Sequence, residues 1–194
     1  MNFPVPSNPA LAQDVDIYAA VYEFVRQYAV PLIPPANIYR GWQNYSALPP
    51  SSNEYAIISI ISNTRRGTTV EEYNAPDPET DGTLSLHELV QCRVQIDCYS
   101  DDDNHARQRA QALETIARST VGPAFFKQHN IGCNHASDVR SMSHVDGSKQ
   151  YVKRCMTELY LTYWASVGLS LPWFDSVDAN IKNVDVYHPP VKKE

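Results

Sequence analysis

Three residues close together in the chain, His129, Cys133 and His135, carry the imidazole and thiol groups that zinc favours, with His144 or Asp138 available as a fourth ligand. Their spacing matches no standard zinc arrangement, so they read better as loop residues without metal chemistry. The run Asp101-Asp102-Asp103 offers hard oxygens, but a cation site needs oxygens converging at fixed geometry, and capping of a following helix explains the run more simply. Ser59 and Ser62 lie in an apolar stretch with no neighbouring base pattern, and no GxSxG or recognisable cysteine–histidine setting activates a nucleophile. The 7 glycines are scattered singly, so no phosphate-cradling loop forms. The residues thus indicate neither a catalytic centre nor a bound cofactor.

The compact basic features are Arg65-Arg66-Gly67-Thr68 and the terminal Lys192-Lys193-Glu194. Phosphate binding normally needs several clustered cations, so an arginine pair reads as a solvated or ion-paired turn, with subunit contact preferred over DNA contact. Arg40-Gly41-Trp42-Gln43-Asn44 combines an arginine, a tryptophan and amides, residue types enriched at interfaces, although Trp42 equally suits a cap on the core.

These residues must be positioned by a scaffold, and 194 residues suit one domain burying roughly 70% of its unfolded surface. With 22 acidic against 16 basic residues and a net charge of -6, non-specific adhesion to nucleic acid or anionic membrane is disfavoured. No apolar run reaches the roughly 20 residues of a membrane span, and the first residues lack the pattern of a signal peptide, which leads us to expect a cytoplasmic product. Cys92, Cys98, Cys133 and Cys155 contain no CxxC pair and are expected to be thiols, three of them in core slots of strands.

Residues 1–13, with Pro4, Pro6 and Pro9, form an expected arm. Asp14 is placed to cap a helix ending near Ala29 before Pro31. Its apolar residues cover two sides, with Val15, Tyr18, Tyr22 and Val25 on one and Ile17, Val21, Phe24 and Tyr28 on the other, so it should be buried twice over. A short extended piece over 37–44 precedes a buried strand over 54–62, which continues outward past Gly67 to Tyr73. The Pro- and acid-rich segment 74–83 is a loop closing a long hairpin. Its second arm, 86–99, alternates Val90, Cys92, Val94, Ile96 and Cys98 with Gln91, Arg93, Gln95, Asp97 and Tyr99, one face for the core and one for solvent or a partner.

A helix then runs to about Thr120, with Ala106, Ala110, Leu113 and Ala117 inside, Arg107, Arg109, Gln111 and Glu114 outside, and Gly122-Pro123 as its stop. A second long strand, 150–164, puts Cys155, Thr157, Leu159, Leu161 and Tyr163 on one face, with 139–145 as hairpin partner and a last strand over 181–187. This order predicts an α+β domain over 14–187, a mainly antiparallel twisted sheet with two main helices against it, followed by a tail over 188–194.

Taken in order, Arg40-Gly41-Trp42-Gln43-Asn44, Arg65-Arg66-Gly67-Thr68, Val94-Gln95-Ile96-Asp97-Cys98-Tyr99, the run from Gly147 through Gln150-Tyr151, Arg154 and Glu158-Leu159 to Leu161 and Tyr163, and Val184-Asp185-Val186 resemble neck or tail terminator proteins of tailed bacteriophages. The resemblance spans about residues 14–187. It implies a tail-terminator-like fold and a structural virion subunit, assembled in the host bacterial cytoplasm, without catalytic residues or cofactor. The implied partners are copies of itself in a hexameric ring, the tail tube protein, the head connector and neck proteins, and genomic DNA passing through without sequence recognition. No membrane is implied.

Under this reading we assign subunit contact to Arg40, Trp42, Gln43, Arg65, Arg66 and Tyr73, to Arg93 and Gln95 on the polar strand face, and to Trp173 and Phe174. The alternatives are a small metal-dependent enzyme built on residues 129–144, or a monomeric module binding a peptide or nucleotide.

Overall fold

The computed structural model describes residues 11–13, 15–42, 54–74, 82–145 and 151–171. The fold is α+β, and two very long strands carry it: β5 (Gly82–Ser100) and β9 (Tyr151–Leu171) pair antiparallel from Gly82↔Leu171 to Ser100↔Lys153 without a register shift. β3 (Tyr55–Arg65) lies along the other edge of β5, with a bulge between Ile60 and Ser62. β4 (Val70–Asn74) then extends that edge from Val70↔His87 to Asn74↔Thr83, forming the expected long hairpin arm. Its closing loop falls in 75–81, outside the described residues.

β2 (Ile38–Arg40) joins β3 in parallel, so the sheet is mixed at that edge. β1 (Leu11–Gln13) pairs with β9 at Gly168–Ser166, making the end of the expected arm an edge strand of the sheet. β6 (Gly132–Ala136), β7 (Arg140–Ser141) and β8 (His144–Val145) also pair with β9. Segment 139–145 therefore lies where the sequence placed it, and β6 is additional. The expected last strand, 181–187, lies outside the described residues.

Helix α1 (Ile17–Tyr28) is capped by Asp16, whose Oδ1 accepts from the Ala19 amide at 2.9 Å, not by the expected Asp14. Ile17, Val21, Phe24 and Val25 are buried in one core, where Phe24 packs against Phe125 and Phe126, and Tyr28 against Phe125, of a short helix, α3 (Val121–Lys127), at centroid distances of 4.9–5.7 Å; Val15, Tyr18 and Tyr22, on the other expected side, are only half-buried. Helix α2 (Asp103–Arg118) is capped by Asp102, which accepts from the Asn104 amide at 2.8 Å. Its inner stripe, Ala106, Ala110, Leu113 and Ala117, is buried as expected.

Gly122 and Pro123 do more than stop α2. They form the first turn of α3, where proline's missing amide costs no helix bond. A Cβ on Gly122 would stand 2.7 Å from the Ala117 Cα, so this tight junction needs glycine.

The main core lies between the helices and one sheet face: Val90, Cys92, Val94, Ile96 and Cys98 from β5 meet Cys155, Leu159, Leu161 and Tyr163 from β9. Each such large side chain contributes about 1.5–3 kcal/mol of burial. On the opposite face a smaller cluster joins Tyr55, Tyr99 and Val152, with the Tyr55 and Tyr99 rings stacked at 4.4 Å. The sheet is thus buried on both faces at this end. This accounts for the nearly unbroken apolar run of residues 56–61. Among the described residues no helix is long and apolar enough to cross a membrane.

Candidate assembly surfaces

Arg109, expected on the outer side of α2, has a side chain only 1% exposed. Its Nε donates to the Pro31 carbonyl at 2.6 Å and one terminal nitrogen donates to Glu54 Oε2 at 2.5 Å. His105 Nδ1 lies 2.7 Å from the other carboxylate oxygen of Glu54. The hydrogen bond from Arg109 holds the Glu54 carboxyl below its ordinary range, outweighing the opposite effect of burial. This network ties α2 to the start of β3 and to the loop after α1. The sequence signal for Arg109 was weak, because the stripe Ala106, Ala110, Leu113 passes beside it and a charged residue there normally points outward.

The polar face of β5 is only partly open. Asp97 is 3% exposed, accepts from Arg154 Nε at 2.9 Å, and takes the Gln95 amide at 2.8 Å. Glu158, opposite Gln95, is buried and accepts from the Tyr160 hydroxyl at 3.1 Å. Burial pushes the Tyr99 hydroxyl up to about 12. Arg93 is half-buried, and its Nε has no hydrogen-bond partner among the described atoms. Gln95 and Asp97 are therefore engaged within the sheet, which narrows what this face can offer a neighbour.

Arg40 ends β2 and its guanidinium lies 3.8 Å from the centre of the Tyr18 ring, at the rim of a groove of ≈ 370 Å³ between α1 and β2. Trp42 is 79% exposed and adopts φ 62, so it projects from a turn instead of capping the core. That turn is tight, since a Cβ on Gly41 would collide with the Ser59 hydroxyl. Arg65 donates to the Gly67 carbonyl at 2.7 Å and faces Glu88 at 3.3 Å, while Arg66 Nε donates to Gln91 Oε1 at 2.6 Å. Arg65 is thus ion-paired and braces its own turn, whereas Arg66 ties that turn to the neutral amide of Gln91 on β5. Gln43, Trp173 and Phe174 lie outside the described residues.

The region beyond this turn was not singled out from sequence. Residues 82–89 of β5 and 164–171 of β9, flanked by β4 and β1, continue the sheet past the helices as an overhang. Side-chain parity carries over from Val90, so Leu84 and Leu86 share the helix-side face with their partners Leu169 and Val167, and with Tyr73 of β4. Neither core cluster includes any of these five residues. The other face presents Thr83, Ser85, His87 and Ser166 together with Val70, Leu89 and Trp164, of which Val70 and Trp164 are exposed, and His87 lies 3.5 Å from Glu72. The outer edge of β4 has no strand partner among the described residues.

The histidines and Cys133 are placed apart in role. His129 packs on Phe125 at 5.2 Å, His135 stacks on Tyr160 at 4.2 Å, and the Cys133 thiol lies 3.7 Å from the Ala117 carbonyl. Burial raises the Cys133 thiol to about 11, which keeps it protonated. Among the described residues no three His, Cys, Asp or Glu side chains are grouped to hold a metal ion.

Residues 15–187 match the family described as phage neck terminator protein. A search of curated proteins gives no match.

Proposed function

Because the chain belongs to the phage neck terminator protein family, a family of structural virion components, we propose that it forms a closed ring, a hexamer, that ends the tail tube and joins it to the head connector. The observation that carries this reading is the overhang. A sheet extension whose apolar side chains lie outside both cores, and whose β4 edge has no strand partner among the described residues, is suited to completion by neighbours. A ring repeats one heterologous contact until it closes, so each subunit must offer two different surfaces. The projecting Trp42 turn and the overhang lie on different parts of the sheet and meet that need.

The acidic balance of the chain suits a channel through which genomic DNA slides without sequence recognition, because a lumen dense in cations would hold phosphates by counterion release. The test is electron microscopy of phage produced without this protein. Heads and tails that fail to join, with tails of uncontrolled length, are expected; normal virions would rule the role out.

A further inference from the structure

All five residues of β4 are exposed, and its outer edge has no strand partner among the described residues. Such an edge offers a row of amide donors and carbonyl acceptors to an extended segment of matching chemistry. The side chains of β4 define that chemistry. Glu72, 62% exposed, lies with Val70 on the outer face, and Glu71 lies with Tyr73 on the helix-side face. β4 holds no lysine or arginine, so its edge favours a cationic strand and disfavours nucleic acid or anionic lipid. β1, the edge strand beyond β9, is shorter, with three uncharged residues.

The chain carries a segment of that kind. Residues 181–187, expected as the last strand, open with Ile181-Lys182-Asn183-Val184-Asp185, and the family match runs past the described residues to take them in. Resting on the ring reading above, we propose that residues 181–185 of one copy add as an antiparallel strand to the β4 edge of the next. One register matches side chain to side chain. Ile181 faces Tyr73, Lys182 faces Glu72 and Val184 faces Val70, while Asp185 reaches Thr69, whose hydroxyl takes a hydrogen bond from Arg65 at 2.6 Å. A slip of one residue either way sets Ile181 against Glu72 or Asn74 and Val184 against Thr69 or Glu71. Parallel pairing is less stable per residue and takes Asp185 away from Arg65 to Asn74. The nine residues 172–180 join this strand to Leu171 at the end of β9 and span up to about 30 Å, enough to leave the subunit's own sheet. Strand addition draws on main-chain hydrogen bonds more than on apolar area, so a short edge serves when a ring repeats the contact at every boundary. Tail strand and β4 edge are different surfaces, as a heterologous contact requires.

The test uses the full chain. Full-length Val70→Cys chains mixed with full-length Val184→Cys chains should join through a disulfide on mild oxidation, because residues facing each other across antiparallel strands stand at disulfide distance. Glu72→Lys and Lys182→Glu, each with an unchanged melting temperature, should weaken subunit association about fivefold. The double variant restores the ion pair with its charges exchanged and should recover most of that loss. Rings that form without the crosslink would overturn the strand addition while leaving the ring standing. So would a Val70→Cys chain that joins Ile181→Cys in preference to Val184→Cys, a disulfide that closes only within one chain carrying both cysteines, or single charge variants that assemble normally. A wild-type chain that never forms rings would overturn the ring reading itself and this contact with it.

Discussion

Arg109 on α2 and Glu54 at the head of β3 meet at 2.5 Å, yet they are buried unequally, with side chains 1% and 33% exposed. Their loss should therefore be unequal. Removing Glu54 strands a charge in the interior, whereas removing Arg109 leaves a carboxylate that water can reach. We expect Glu54→Ala to cost about 3–5 kcal/mol and Arg109→Met only about 1–2 kcal/mol, chiefly for the unsatisfied Pro31 carbonyl. Urea unfolding of both variants checks the order, and a larger loss for Arg109→Met would contradict it.

The same pair sets an acid limit. The Glu54 carboxyl is lower in the folded chain than its ordinary 4.5, so its contribution to stability is present above that value and lost as pH falls through the lower folded value. Melting temperature should fall from about pH 5 downward. In Glu54→Gln this segment of the acid limb should be shallower, as measured by thermal melts against pH; an unchanged slope would remove Glu54 from the account.

The α2–α3 junction leaves no room at Gly122, whose added Cβ would meet backbone atoms of Ile116 and Ala117 at 2.7–2.8 Å. Backbone cannot swing aside as a side-chain tip can. Gly122→Ala should cost about 1–3 kcal/mol despite alanine's better helix propensity, read by denaturant titration. A stabilised variant would show that the junction is looser than described.

Trp42 combines 79% exposure with φ 62. Glycine accepts that backbone without strain, so Trp42→Gly should leave folding stability unchanged or better within about 1 kcal/mol while weakening assembly. Light scattering beside a thermal melt separates the two effects. A lower melting temperature with intact assembly would make Trp42 a folding residue instead.

Much of this scaffold was legible because period-2 and period-3.6 patterns survive in the sequence. The alternation from Val90 to Cys98 gave β5 and its buried face, and Ala106, Ala110, Leu113 and Ala117 gave the inner stripe of α2. What escaped has physical reasons. Arg109 is buried by long-range partners, Pro31 and Glu54, which no local window contains. Helix α3 carries Gly122 and Pro123 in its first turn, and that pair signals a stop and a first turn equally well. Asp97 and Glu158 alternate as solvent-facing residues should, yet ion pairing and cross-strand hydrogen bonds let the sheet bury them. Leu84 and Leu86 extend the β5 alternation, but parity cannot tell that they lie outside both core clusters.

The central claim is that copies of this chain close into a ring, and native mass spectrometry with negative-stain imaging of the purified full chain, alone and with the tail tube protein, tests it most directly. We expect a single closed species of six copies with an open centre. A chain that stays monomeric at every concentration, and remains so on the tube, would contradict the account.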